Sequence, residues 1–378
     1  MWKTLLFHDT FLMKWGAERM NIEIAKILDA NIATALWSPD CYDAQAMGFE
    51  WKIIEVNPNF KRGMLGFMLM KWRFFRSKKL VSEYENIFFS NEAISGIWNV
   101  WLSTKTYYYA HSISRHLFDL RKQYLQKVPF LIRPGFLLFS VFLRWLYRKE
   151  VQKVGTIFVN SEANKKRISE WLGRDDAIVI YPSVDVDKFR IFSENELLQI
   201  LAKEQISINY KWYYISFSRL THAKRIDVII RAFQKIPDKK LLILYGENDS
   251  QKDEFIKMGE GYPNIIFHSL EENENLPIIL SGAIASISVS ENEDFGMVAI
   301  ESMASGVPVI AADEWWYRES VVSGKTGVLI TSDNLEENLT FTVKDTSIKV
   351  FYDMQSDCIM RAENFSLKKM YQKIKEFI

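Results

Sequence analysis

A chain of 378 residues with 48% apolar and 25% charged residues is too long for one ordinary core and too apolar for disorder, so two folded domains are expected. Two cysteines, Cys41 and Cys358, argue against a disulfide scaffold or a cysteine-ligated zinc site and fit a reducing compartment. The net charge of +1 is unevenly spread: residues 1–180 hold 26 Lys/Arg against 17 Asp/Glu, and residues 181–378 hold 22 against 30, so the first half is expected to face an anionic partner. The opening Met1–Asp9 stretch has one Lys and no long apolar run, which predicts no secretory leader. The most apolar run, Phe136–Leu143, is closed by Arg144 and Arg148 and reads as too short to span a bilayer.

In chain order, Lys3–His8, Ala33–Ser38, Trp51–Val56, Asn86–Ser90, Thr106–Ala110 and Thr156–Val159 read as short β-branched or aromatic strands. Ala17–Leu28 and Glu162–Leu172 carry helical apolar spacing. The turn-rich Tyr181-Pro-Ser-Val-Asp-Val-Asp187 segment predicts a linker. A second series follows, with strands at Trp212–Phe217, Lys240–Tyr245, Asn264–His268, Ala285–Val289, Pro308–Ala311 and Gly327–Ile330. Helices fit at Lys224–Lys235, Gln251–Met258, Asn273–Ser281 and Met297–Ala304. Regular alternation of strand and helix predicts an α/β protein of two doubly wound parallel sheets, with ligands at the carboxyl ends of the strands. The expected division is 1–182, 183–365 and a C-terminal helix over 366–378 as a candidate to pack back on the N-terminal domain.

The strongest chemical signal is Ser290-Glu-Asn-Glu-Asp-Phe-Gly-Met-Val-Ala-Ile-Glu301. Glu293 lies in a loop after an apolar strand, Gly296 permits a tight turn, and a helix opening near Met297 presents free amides to an anion. Glu301, eight residues after Glu293, projects from the start of that helix and suits a vicinal diol such as that of ribose. A plain alternative is two solvated carboxylates favouring a helix N-terminus. In Ser218-Arg-Leu-Thr-His-Ala-Lys-Arg-Ile-Asp227, Arg219 follows a strand and Lys224 opens a helix. Two cations there suit a diphosphate leaving group, although surface exposure is the common fate of both residue types.

These segments resemble family-4 retaining glycosyltransferases of the GT-B fold, in which two Rossmann-like domains face a cleft. The resemblance rests on an E-x7-E signature at Glu293 and Glu301 and on a G-R-L-x-x-x-K-G-x-D segment at 218–227, where Ser218 and Arg225 replace glycines. It implies that Glu293 holds hydroxyls of a donor sugar. It further implies that the amides of Phe295–Val298, including Gly296, Met297 and Val298, hold sugar and diphosphate. Arg219 and Lys224 would bind the diphosphate, and Glu301 the ribose. Trp15-Gly-Ala-Glu-Arg19 resembles the G-G-A-E-R loop, so Gly16 is expected at the diphosphate, with Trp15 in place of a glycine. His111-Ser-Ile-Ser-Arg-His-Leu-Phe-Asp119 resembles the H-T-P-x-R-x-x-W-D pattern of a subgroup rich in mannosyltransferases. That match places His111 beside the donor sugar, with Arg115 and Asp119 on matching positions. Asn160-Ser161, Gly173-Arg174, Tyr181–Asp185 and Glu319–Gly327 resemble further blocks expected to be architectural, Glu319 as a loop-ordering group.

The resemblance implies transfer of a hexose, mannose favoured, from a nucleoside diphosphate sugar such as GDP-mannose to a glycan or lipid-linked acceptor, with retention and without a metal. The alternatives are a GT-B-like sugar-nucleotide epimerase and a catalytically idle binding protein. Asp185 and Asp187 read as turn chemistry rather than a metal site. Phe60–Leu80 holds seven Lys/Arg and no Asp or Glu, interleaved with large apolar residues. It reads either as a core helix with a basic edge or as a segment meeting an anionic membrane. Nucleic acid is not an expected partner. A cytoplasmic location, peripheral at the inner face of the membrane, is expected.

Overall fold

The computed structural model describes residues 2–14, 16–61, 63–101, 103–247, 249, 251–270 and 274–378. Trp15 and Arg62 therefore lie outside the described residues. The described chain divides into two compact units, Met1–Tyr181 and Pro182–Ile378. Each is a parallel sheet flanked by helices, the two-domain Rossmann-like α/β architecture.

The first unit holds β1 (Trp2–His8), β2 (Asn31–Thr34), β3 (Ile53–Glu55), β4 (Tyr84–Ser90), β5 (Lys105–Ala110), β6 (Thr156–Val159) and β7 (Ile178–Val179), in spatial order β3-β2-β1-β4-β5-β6-β7. Central strands covered on both faces need unbroken apolar runs. Here β4 carries Ile87-Phe88-Phe89, and β5 supplies Tyr107-Tyr108-Tyr109, all buried. Buried phenols need partners for their hydroxyls. Tyr109 donates to the Ile180 carbonyl at 2.6 Å, and the Tyr108 and Tyr147 hydroxyls share a hydrogen bond of 2.8 Å.

The second unit holds β8 (Tyr213–Phe217), β9 (Lys240–Tyr245), β10 (Ile265–Ser269), β11 (Ala285–Ser288), β12 (Val309–Ala312) and β13 (Gly327–Ile330), ordered β10-β9-β8-β11-β12-β13. In both sheets the order reverses at the first strand of the unit. The neighbours β1/β4 and β8/β11 thus mark the switch points where ligands of such sheets bind.

Several expectations need correction. The predicted strand Ala33–Ser38 is Asn31–Thr34, because Ala35 and Ser38 instead bond Asp9 and Phe11 of the neighbouring loop. Of the helix read over Asn273–Ser281, Asn273 lies outside the described residues, and the described helix runs Leu276–Ser281. The apolar run Phe136–Leu143 sits inside a 21-residue helix, Arg133–Lys153. Phe130–Lys153 is long and apolar enough to cross a bilayer by length and composition. Arg144 and Arg148 do not close it, because arginine is a good helix former. The boundary between the two units, Tyr181/Pro182, falls at the 181–187 segment, which is itself held in place. Val184 is buried and its amide donates to the Phe365 carbonyl at 2.8 Å, while Asp185 accepts from the Asp187 and Lys188 amides. The C-terminal helix is Leu367–Lys375, N-capped by Ser366.

Candidate functional site

In the second unit two strand-to-helix loops meet at the β8/β11 switch point. The first leaves β8 at Ser218, passes exposed Arg219, and makes a 3₁₀ turn at His222–Lys224 before the helix Ile226–Gln234. The Leu220 amide is held by the Asp249 carboxylate at 2.8 Å. The second loop runs from Val289 to Gly296 and opens the helix Met297–Ala304. The loops are joined directly. The Glu291 amide donates to the Ala223 carbonyl at 2.7 Å, and the Lys224 ammonium pairs with the Glu293 carboxylate. Both side chains are partly buried, 18% and 25% exposed, so the pair is screened less than one fully in water.

Gly296 caps that helix at φ 80°, the left-handed region that favours glycine. A Cβ there would also lie 3.0 Å from the Tyr317 ring. Beyond this turn the amides of Met297 and Val298 belong to the first helical turn and have no carbonyl four residues back inside the helix. Glu301 is buried at the fifth helical position. Tyr317, from the helix Trp315–Ser320, underlies the turn and bonds the Ser288 hydroxyl at 2.6 Å. Burial first, then the charge of Glu293, push its phenol well above the ordinary value.

The two departures from glycine at 218 and 225 behave differently. Ser218 is not among the positive-φ residues, so its backbone needs no glycine. Arg225 sits at φ 52°, where a side chain is strained. Its guanidinium reaches the Val289 carbonyl at 3.4 Å and Glu314 at 3.8 Å, and so ties the first loop to the second.

In the first unit, His111 follows β5 and is buried. Its carbonyl accepts from Asn160 at 2.7 Å and Asn164 at 3.5 Å, and its ring packs on Tyr109. Ser161 caps the helix Glu162–Arg167, so the Asn160-Ser161 block anchors the His111 turn. Arg115 and Asp119 form an ion pair with each other. Arg174 binds the carbonyls of Val151, Val154 and Gly155. Gly16 opens the helix Gly16–Ile27 and is exposed. Glu319 contributes its backbone carbonyl to Arg361.

Residues that the sequence reading left out adjoin His111. His8, at the end of β1, lies 6.5 Å from it ring to ring. The His8 Nδ1 atom is 3.1 Å from each of the Ser90 hydroxyl, the Asn21 amide nitrogen and the Asp9 carboxylate. Asn21 also donates to the Ala17 carbonyl at 2.9 Å, which orients its nitrogen toward His8. Burial lowers His8 to about 3, and burial followed by the proximity of His8 holds His111 well below its ordinary value. Both imidazoles are therefore neutral near pH 7. Asp9 is raised to about 7, chiefly by burial, against the Thr10 amide and with Glu92 adding. Tyr317 likewise carries no signature in sequence. A histidine-aspartate pair closing the first strand was the available signal for the His8–Asp9 group.

Residues 200–360 match the family model described as Glycosyl transferases group 1. A D-inositol 3-phosphate glycosyltransferase of Mycobacterium sp. (strain JLS) is 25% identical over 189 residues, 48% of this chain and 42% of that protein. The counterpart in Mycobacterium bovis (strain BCG / Pasteur 1173P2) is 24% identical over 190 residues, 48% and 38% of the two chains. The chain thus spans about two fifths of the length of the curated relatives it matches. Among solved structures, Anabaena HepE in complex with UDP and glucose superposes with a TM-score of 0.76 at 18% identity, over 100% of this chain and 99% of that one. A glycosyltransferase from Rickettsia africae gives 0.75 at 19%, over 99% and 97%. Sucrose-phosphate synthase from Thermosynechococcus elongatus gives 0.76 at 15%, over 100% and 98%. The fold is the one these proteins share, and the second unit carries the group 1 glycosyltransferase match.

Proposed function

We propose that this chain is a retaining glycosyltransferase that moves a hexose from a nucleoside diphosphate sugar to a glycan or lipid-linked acceptor. The observation that carries the reading is the Lys224–Glu293 junction of two loops at the β8/β11 switch point, next to the glycine-capped helix at Met297. An ammonium and a set of fixed amides there suit a diphosphate on which charge grows as the glycosidic bond breaks. Arg219 adds a second cation on the same loop. Glu293 then exchanges its ammonium partner for sugar hydroxyls, and Glu301 takes the ribose diol. Lys224, released from the carboxylate, turns its charge to the phosphates.

His111 is assigned to the same sugar and Gly16 to the diphosphate. A neutral imidazole there accepts or donates a hydrogen bond to a hydroxyl without adding charge. The cations and amides supply the charge stabilisation that a divalent metal supplies elsewhere, so transfer proceeds without one. Two carboxylates flanking the scissile bond would serve a double displacement. Glu293 is assigned to binding, and the working route is front-face attack with the leaving phosphate taking the acceptor proton. The donor is drawn toward GDP-mannose by the resemblance around His111, whereas the HepE structures hold UDP or UDP-glucose. The enzyme is placed in the cytoplasm, with 60–80 as the segment that meets an anionic membrane.

A thermal-shift panel of nucleotide sugars tests the donor, since a ligand stabilises as RT ln(1 + [L]/Kd). Stabilisation by one nucleoside diphosphate hexose, lost in Lys224→Ala, is the expected result. Absence of stabilisation by any nucleotide sugar would refute the reading. Product formed without an acceptor would favour an epimerase, and binding without turnover an idle binding protein.

A further inference from the structure

Among the described residues of the first unit, every large apolar side chain that is well exposed falls between Met64 and Trp145. Six lie on the helix Met64–Phe75, and eight lie between Tyr124 and Trp145. Leu131 is 89% exposed, Leu65 84%, Phe130 78% and Leu138 76%. Water-exposed apolar groups at this density mark a surface that something covers.

Charge says what covers it. The 60–80 segment has seven Lys/Arg and no acid, and residues 120–149 repeat that count: Arg121, Lys122, Lys127, Arg133, Arg144, Arg148 and Lys149, again with no Asp or Glu. Arg144 is depressed by its burial and then by the nearby charges of Arg148 and Arg121, with no carboxylate opposing them. The two stretches are neighbours. Lys71 of the first bridges Glu92 at 2.9 Å and Glu150 of the Arg133–Lys153 helix at 3.6 Å. Phe67 contacts the His116 ring, which contacts Tyr124.

The Arg133–Lys153 helix is anchored in the unit along one face. Its inner stripe, Ser140, Leu143, Tyr147, Glu150 and Val151, is buried in the unit. Tyr147 bonds Tyr108 of the central sheet and Glu150 meets Lys71. A spanning helix would have to expose those polar groups to lipid. Its outer stripe, Leu138, Val141, Phe142 and Trp145, is apolar, and the same stripe continues into Arg148 and Lys149. Apolar body, aromatic shoulder and cationic end is the order that an interfacial helix needs.

We infer that the 3₁₀ turn Phe130–Ile132 and the outer stripe of the Arg133–Lys153 helix form the principal insertion element of a surface that docks on an anionic bilayer, beside the Met64–Phe75 helix. This deepens the membrane contact proposed for 60–80, and its test keeps the two separate.

Full-length protein is mixed with vesicles of phosphatidylcholine alone or with phosphatidylglycerol. Leu131→Cys carries an environment-sensitive fluorophore, since both native cysteines are buried. The expected result is a blue shift on anionic vesicles only, weakened by salt. Phe130→Glu/Leu131→Glu should weaken binding about tenfold or more, while nucleotide-sugar stabilisation and Tm stay at the unsubstituted level. Binding that survives this variant and is lost only in Leu65→Glu/Leu69→Glu would overturn the inference and leave the 60–80 contact standing. Binding to neither vesicle overturns both. A dimer in solution that the Phe130→Glu/Leu131→Glu variant dissociates would assign the surface to a second copy, and overturns it as well.

Discussion

The switch points of the two sheets are built from opposite materials. At β8/β11 a partly exposed ion pair joins the loops, beside a left-handed glycine and a helix N-terminus. At β1/β4, and at the end of β5 beside it, two buried imidazoles are held neutral by burial, and a partly buried carboxyl is raised to about 7. Charge that must meet a mobile polyanion is best left near water, where desolvating it costs little. Neutral imidazoles suit hydroxyl recognition, and burial makes them neutral without any motif.

The largest effect that would break this comparison is expected at Glu293. Glu293→Ala should lower kcat/KM for transfer by about 10²–10³-fold, or roughly 3–4 kcal/mol of transition-state stabilisation, with Tm close to that of the unsubstituted protein. Undiminished transfer would remove the second unit's loops from the chemistry.

Next comes Asp9. Its folded pKa lies above its unfolded value of 3.8, so the folded state prefers the protonated carboxyl. That preference is fully present below about pH 4 and is lost as pH rises through about 7. Asp9→Asn should therefore stabilise the protein by about 2–4 kcal/mol at pH 8 and change little at pH 4, read by chemical denaturation at both values. An equal effect at both pH values would show that the carboxyl is not raised.

Gly296→Ala should cost about 1–3 kcal/mol, since it forces a side chain into the left-handed region and against the Tyr317 ring. Donor affinity should fall with it, because the amides of Met297 and Val298 move. Calorimetry that shows weakened stability with donor affinity intact would separate the turn from the site.

The smallest effect is expected at Arg225. Arg225→Gly relieves a left-handed backbone worth about 1 kcal/mol and gives up the contacts to Val289 and Glu314. A net change within about 0.5 kcal/mol is expected. A loss well beyond that would show that this arginine, rather than the Lys224–Glu293 pair, holds the two loops together.

Most strands were readable because parallel central strands demand β-branched and aromatic runs, as in Tyr107–Tyr109. The two-residue β7 was too short to stand out. The Arg133–Lys153 helix was missed because its arginines looked like an end to the apolar run. On an exposed helix they form part of the outer surface. Glu293, Gly296, Glu301, Arg219 and Lys224 stood out as candidates because a loop between strand and helix gathers polar groups and a glycine within a few residues of one another.

What the sequence alone determined is local: the alternation of strand and helix, the turn chemistry, the divided charge, and which groups sit at strand ends. Tertiary structure decided which strand ends adjoin, and so placed Lys224 on Glu293 and His8 beside His111 across 69 and 103 residues of chain. It also decided which groups lose their water, and so which are charged. Periodicity and capping act over a few residues, whereas strand order and desolvation depend on residues far apart in the chain.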